Sequence, residues 1–564
     1  MTADTATGYR TPAPAAHDGF GRLLRAEWTK FRTVRGWVVG TALAAVIMAM
    51  FGLVAAAGNG RPGSGGGGGV LTGPGGEGVT DGLYFVHRPL AGDGTITTRV
   101  TSLTGAPLTP DGAGGAGGGD GAGGGDGGDG AGGGDGGDGA GGGDGAGNPD
   151  GGGGAAQPWS KAGLIVREST TQGSAYAAIM VTGGHGVRMQ YNFTGDTAGP
   201  AGTVSMASPR WLRLTRTGDT ITGYASADGT AWTTVGRVRL SGLSPTVPGG
   251  LFVASPDAVA YHQHLGGFSA TGGATLATAT FDDVEARGGW AGGGWAGGGW
   301  AGGGWAGGGW SGTGIGGDPN RAGTGYRASG GTFTVAGSGD LAPLVIDSGA
   351  AFDHLLSGVF AGLTVMVVLA VLFVTSEYRR GMIRTTLAAS PRRGRVLAAK
   401  AVVIGAVAFV TGLVAATVTV PAGQHILAAG GAAVYPTTWL VDLRVITGTA
   451  AILAVAAVLA LALGVILRRG AGAVATVIVL VVLPYLLTAA AVLPVGPSRW
   501  LLRVTPAAAF AVQQVIPAYP QVDHAYTPAY GFYPLAPWAG LAVLAGYAAI
   551  ALAVAGHLLR RRDA

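Results

Sequence analysis

Seven basic side chains, Arg379, Arg380, Arg384, Arg392, Arg393, Arg395 and Lys400, crowd the stretch Ser376–Lys400 with a single acid, Glu377. Lys and Arg beside apolar spans stay on the cytoplasmic side of a membrane. The stretch therefore orients the chain, and its helix-compatible, amphipathic sequence offers a docking surface to a cytoplasmic partner. Other residues carry weaker chemical signals. His262 and His264 alternate on a strand-like run and share a face, as a metal pair would. No third ligand lies near in sequence, so a plain surface or core pair is the favoured reading. Asp recurs through the Gly-rich tract Gly112–Gly154, yet the large apolar residue that a calcium-binding coil repeats is missing. Asn192-Phe193-Thr194 matches a glycosylation sequon and carries no weight in a sequence with this Ala/Gly/Arg bias.

Several kinds of chemistry are excluded. There is no Gly-Lys pair, and hence no P-loop, and neither H-E-x-x-H nor a G-x-S-x-G elbow occurs. The absence of cysteine removes disulfides, thiolate metal sites and thiol nucleophiles. The net charge of +5 reads as the positive-inside bias of loops and not as a nucleic-acid footprint.

The elements that must position the basic stretch are apolar runs on either side of it. Charged residues make up only 12% of the chain and hydrophobic ones 47%, the balance of a membrane protein with a soluble part. About 20 apolar residues cross a bilayer. Six runs qualify: Gly36–Ala57, His354–Thr375, Ala401–Pro421, Val445–Leu467, Ala471–Leu493 and Pro537–Leu559. Basic flanks at Arg22–Arg35, Ser376–Lys400, Arg468-Arg469 and Arg560–Arg562 place both termini in the cytoplasm. Ser498–Ile516 reads as an interfacial or re-entrant helix on the far side. These runs carry almost no ionisable groups, which argues against a proton-coupled carrier. Before the first run, Leu24, Trp28 and Phe31 share a helical face opposed by basic residues, the pattern of an interfacial amphipathic helix.

Between the first and second runs, residues 58–353 hold short alternating segments separated by turn signals such as Asp228-Gly229. This predicts an extracytoplasmic antiparallel sandwich at 81–287, interrupted by a Gly/Asp-rich loop at 111–156. A cytoplasmic tail at 1–20, a Gly-rich linker at 58–80 and a WAGGG-repeat linker within 288–353 read as segments too poor in apolar residues to order. The fold class expected is a membrane all-α bundle of six helices with an inserted all-β, jelly-roll-like sandwich.

LLRAEWTKFRTVRGW (Leu23–Trp37) and EYRRGMIRTTLAASPRRGRVLAAK (Glu377–Lys400) resemble ABC transporter permeases of the ABC-2 type, over 20–57 and 354–564. The resemblance implies an exporter permease, not itself an enzyme, moving an unidentified substrate. It implies an interfacial helix carrying Leu24, Glu27, Trp28 and Phe31. It also implies an ATPase-coupling loop carrying Glu377, Arg379, Arg380, Gly381, Arg384, Ser390, Pro391 and Lys400, with Pro391 ending the coupling helix. The implied partners are a separate ATPase subunit that handles ATP and Mg²⁺, a second identical or related permease subunit, and the lipid bilayer. No cofactor, metal or nucleic acid is expected on this chain. FVHRPLAGDGTITTRV (Phe85–Val100), WSKAGLIVRES (Trp159–Ser169), WLRLTRTGDTITGYASADGTAW (Trp211–Trp232) and ATFDDV (Ala279–Val284) are similar to concanavalin A-like, laminin G-like modules. Gly330–Pro343 resembles the start of a second, incomplete one. Such modules often bind carbohydrate, so the competing reading is a membrane-anchored surface receptor or adhesin that binds glycan.

Overall fold

The computed structural model describes residues 19–59, 71–107, 154–265, 267–291, 306–307, 309–316, 323–345, 355–379, 393–430, 437–524 and 526–561. The 1–18 tail, most of the Gly/Asp tract and the middle of the WAGGG repeat lie outside them.

The helices follow from apolar runs too long to fold as anything else. α1 (Phe20–Thr33) precedes α2 (Arg35–Asn59); α3 (Gly358–Arg379), α4 (Arg393–Ala429), α5 (Trp439–Leu467), α6 (Gly470–Ala489), α7 (Val495–Val504) and α8 (Pro537–Arg561) follow the β region. Six of these, α2 to α6 and α8, are long and apolar enough to cross a membrane, which makes this a membrane protein. They pack around one apolar cluster that includes Met366, Phe373, Leu453, Leu461 and Phe510. The expected positions hold, and the boundaries move. α4 does not stop at Pro421 but carries it inside the helix and runs on to Ala429. Neighbouring helices can shelter the backbone groups that a proline frees within a membrane. The stretch expected as one helix over Ser498–Ile516 divides into α7 and a 3-10 segment, Pro506–Gln513, buried along its whole length. Glycines make room for it. A Cβ on Gly540 of α8 would collide with the Ala508 carbonyl oxygen, and one on Gly448 of α5 with Val512.

The β region spans β1 (Val79–Asp81) to β18 (Leu341–Pro343), and its ladders are all antiparallel. Its organiser is β2 (Leu83–Pro107), which pairs with β10 (Thr246–Ala254) and β15 (Trp310–Ile315) along its first part and with β13 (Thr275–Trp290) and β7 (Arg210–Thr217) farther on. β3 (Lys161–Arg167) and β4 (Tyr176–Thr182) are buried on both faces: Leu164 and Ile179 join one apolar cluster, Ile165 and Met180 another.

Three domain expectations need correction. Gly330–Pro343 opens no second module. β17 (Thr332–Gly337) pairs with β13 and β18 with β1, completing the same region. The repeat's end residues belong to the core rather than to a linker: Trp310 is buried beside Phe333, and the Trp290 indole donates to the Thr95 carbonyl at 3.1 Å. The linker 58–80 likewise ends in structure, because Val79 is buried in β1.

Candidate functional site

The helix ends that flank residues 380–392 gather around α1. Leu24, Glu27 and Phe31 turn toward the bundle at a spacing of three and four, whereas Trp28 is 46% exposed. Phe31 meets Phe373 of α3 edge-on at 6.0 Å, and Trp37 meets the same ring at 5.1 Å. Such pairs add modestly to burial and fix the angle at which α1 lies on the bundle.

Four charges sit beside these rings. The Lys400 ammonium of α4 donates to Glu27 Oε2 and to Glu377 Oε1, each at 2.7 Å. Lys30 donates to Glu27 Oε1 at 2.8 Å and to Glu377 Oε1 at 3.2 Å. Glu27, Glu377 and Lys400 are almost fully buried, and Lys30 reaches partly into solvent. The Lys400 ammonium also stands 4.8 Å over the Phe373 ring. Burial alone would lower the Lys30 pKa. The two carboxylates outweigh it and hold that ammonium above its usual 10.5. With two carboxylates and two ammoniums the group is neutral, which is what lets it be buried. It ties α1, α3 and α4 together on both sides of the segment between Arg379 and Arg393.

Neighbouring ends close in the same way. Arg393 donates to the Leu559 carbonyl in the last turn of α8 at 2.7 Å, and Arg468, left-handed at the turn between α5 and α6, lies over the Tyr378 ring at 5.4 Å.

The expected coupling residues therefore divide. Arg380, Gly381, Arg384, Ser390 and Pro391 lie outside the described residues, as does the side chain of Arg379, the last residue of α3. Glu377 and Lys400 are not in a loop. They sit inside α3 and α4, the Lys400 ammonium spent on both acids, and Glu377 paired through Oε1 while its buried Oε2 accepts no hydrogen bond among the described residues. α4 begins at Arg393, so Lys400 falls in its second turn, facing inward, and its aliphatic stem carries the ammonium to both acids. The spans are consequently not free of ionisable groups, since both residues belong to membrane-length helices or their ends. Sequence reasoning named Glu27 but missed its pairing with Lys400, 373 positions away. The available signal was an acid on the apolar face of α1, between Leu24 and Phe31.

His262 and His264 lie on β11 (Ala258–His264), with the His262 ring bonded to Thr271, and no metal-binding group of three or more His, Asp or Glu occurs among the described residues.

No family model matches this chain, and no curated protein matches it. Among solved structures it is similar to a functionally unknown protein from Saccharomyces cerevisiae, at 13% identity and a TM-score of 0.20 over 36% of this chain and 74% of that one. It is also similar to Scytalido-glutamic peptidase bound to a peptide-based transition-state analog, at 10% identity and 0.21 over 45% and 98%. A second structure of that peptidase, with a transition-state analog inhibitor, gives 0.20 over the same shares. Likenesses this slight carry no functional argument.

Proposed function

We propose that this chain is the membrane subunit of an ATP-binding cassette exporter, driven by separate ATPase subunits that engage residues 377–400 from the cytoplasm. The single observation that carries the reading is the buried cluster of Glu27, Lys30, Glu377 and Lys400. A force applied between Arg379 and Arg393 would reach α3, α4 and the amphipathic α1 through one set of ion pairs. The chain has no P-loop of its own, and in this reading the energy enters from a partner that handles ATP and Mg²⁺. Two such membrane subunits would rock between inward and outward access as their ATPases close.

In this reading both termini are cytoplasmic, and the β region is an extracytoplasmic concanavalin A-like sandwich inserted between the first two spans. Arg379, Arg380 and Arg384 contact the ATPase, and Glu377 and Lys400 act one layer behind, holding α3 and α4 on either side of residues 380–392.

Co-purification tests it. The native chain drawn from its own membranes should bring a P-loop ATPase with it, and Arg384→Ala or Gly381→Val should diminish that complex and ATP-driven transport. Undiminished complex and transport in both variants would overturn the coupling role.

A further inference from the structure

β11 and β12 (Gly267–Gly273) make a separate two-stranded hairpin that meets the helices by one face. Alternation puts Tyr261 and Gln263 on that face, and the register sets Phe268 opposite Gln263. Tyr261 is hydrogen-bonded to His524, the Gln263 amide donates to the carbonyls of Ala491 and Leu493, and the Phe268 ring stands 5.7 Å from that of Tyr530. Ala491 and Leu493 lie just past Ala489, the last residue of α6. The hairpin is therefore seated at the level where a membrane-length helix ends. Leu265 stands two residues beyond Gln263, about 7 Å farther along the strand. It is 81% exposed, the most exposed large apolar side chain among the described residues. Leu483 and Leu486 of α6 and Val492 just past it are exposed too, so this side of the helix is not covered by the bundle.

The hairpin also lacks charge. No Asp, Glu, Lys or Arg occurs between Asp257 and Asp282. Each of its two strands has a free edge, and strand edges left in water are ordinarily guarded by charged side chains. The large sheet follows that rule. β9 (Thr233–Arg239), an edge strand bonded to β8 (Thr220–Ser226), carries exposed Arg237 and Arg239, and the edge strand β16 (Gly325–Ser329) carries Arg327. An uncharged ribbon of two strands is marginal in water by itself.

We propose that the end of this hairpin is a membrane contact of the β region, with Leu265 set into the interfacial zone of the leaflet next to the end of α6. An apolar side chain gains by leaving water at the boundary between headgroups and acyl chains. Uncharged flanks let it approach without stripping water from an ion. The hydrocarbon core is excluded, because the free strand edges would leave backbone groups unsatisfied there. A second copy of the chain fits worse, since a stable interface takes about 800 Å² from each partner and the end of the hairpin offers one large side chain. The inference rests on α6 crossing a bilayer and not on the transport reading.

Because the chain has no cysteine, Leu265→Cys gives a single labelling site. The full chain carrying an environment-sensitive fluorophore there, in phosphatidylcholine nanodiscs, tests the proposal beside Met206→Cys, labelled at another highly exposed residue. The Leu265 label should emit to the blue of the Met206 label. Lipid spin-labelled near the headgroup should quench it more than lipid spin-labelled at the chain end. In the unlabelled chain, Leu265→Asp should speed amide exchange across 258–273 by about tenfold, the worth of burying roughly half a leucine side chain, whereas Leu265→Phe should not. Emission as red as that of the Met206 label, stronger quenching from the chain end, or unchanged exchange in Leu265→Asp would each overturn it. So would a blue shift present in discs holding two chains and missing from discs holding one, which makes a second copy the occupant.

Discussion

Lys400 holds two carboxylates that would otherwise repel each other in a water-poor place, and that fixes what its loss should do. In Lys400→Met, Glu27 and Glu377 keep only the partly exposed Lys30. Breaking a buried ion pair from one side costs about 3–5 kcal/mol, a large share of the stability of an ordinary domain. The purified variant should melt well below the native chain, and Glu27→Gln with Glu377→Gln added to Lys400→Met should recover much of the loss. A Lys400→Met protein that melts like the native one would remove the cluster from its role. His87, in the β region, should show itself through pH. Its ring lies 4.7 Å from Phe85 and its Nε2 is 3.2 Å from the Thr313 hydroxyl. Burial holds its pKa below the usual 6.5. The unfolded chain therefore takes up the proton first as pH falls, so stability is full above 6.5 and declines below it. Thermal unfolding followed by tryptophan fluorescence should give a lower midpoint near about pH 5 than near about pH 8, and His87→Gln should flatten that difference.

Among the elements, the buried 3-10 segment Pro506–Gln513 is the one whose surroundings are most demanding. It is held between α5 and α8, with Gln513 donating to the Thr449 hydroxyl at 3.1 Å and Arg444 donating to the Gln514 carbonyl. Gly540→Val would push a side chain into the Ala508 carbonyl, whereas Gly546, six residues along the same helix, faces open space. Overpacking costs about 1–3 kcal/mol even where the core can yield, and a backbone carbonyl yields little. Gly540→Val should sharply lower the yield of monodisperse protein, with Gly546→Val indistinguishable from native by size-exclusion chromatography. The six spans were legible in the sequence because a run such as Val445–Leu467 has no other fold open to it. PAAAFAVQ was not, since alanine fits an α-helix, a 3-10 turn or a loop, and the choice is made by Gly448, 58 residues before its first residue, and Gly540, 27 after its last. Strands with turn cues, such as β7 and β8 around Gly218, were legible for the same local reason that β17 was misread. Its own sequence announces a strand, but its partner β13 is fixed only by the whole sheet. At the candidate site the basic stretch and the acid Glu377 could be read off. The burial of Lys400 could not, because it depends on Glu27 arriving from the other end of the chain.

At the scale of the whole molecule, the β region is fastened to the helices by an arm. β11 and β12 (Gly267–Gly273) form a two-stranded sheet of their own, projecting between β10 and β13 of the large sheet. The Gln263 amide donates to the Ala491 carbonyl at 2.7 Å and the Leu493 carbonyl at 2.8 Å, just beyond the end of α6, where Ala491 is left-handed. Tyr261 meets His524 at 3.1 Å, and Gln521 donates to the Phe193 carbonyl at 3.3 Å. The helix so gripped contains a π-turn, Ile478–Val482, with Pro484 two residues beyond it. Such turns and prolines are where helices bend. Bending there would displace the segment that Gln263 holds, so motion of α6 and motion of the arm should be coupled in both directions. Gln263→Ala should speed amide exchange across 484–493 by about tenfold while leaving β10 and β13 protected. Pro484→Ala, a change on the helix side alone, should alter exchange in 258–273. The chain has no cysteine, so Gln263→Cys with Leu493→Cys creates a single thiol pair, which a short bifunctional thiol reagent should join within one chain. If the pair resists joining, the arm does not sit at the end of α6; if each substitution leaves exchange on the other side untouched, the arm rests on the bundle and transmits nothing to it.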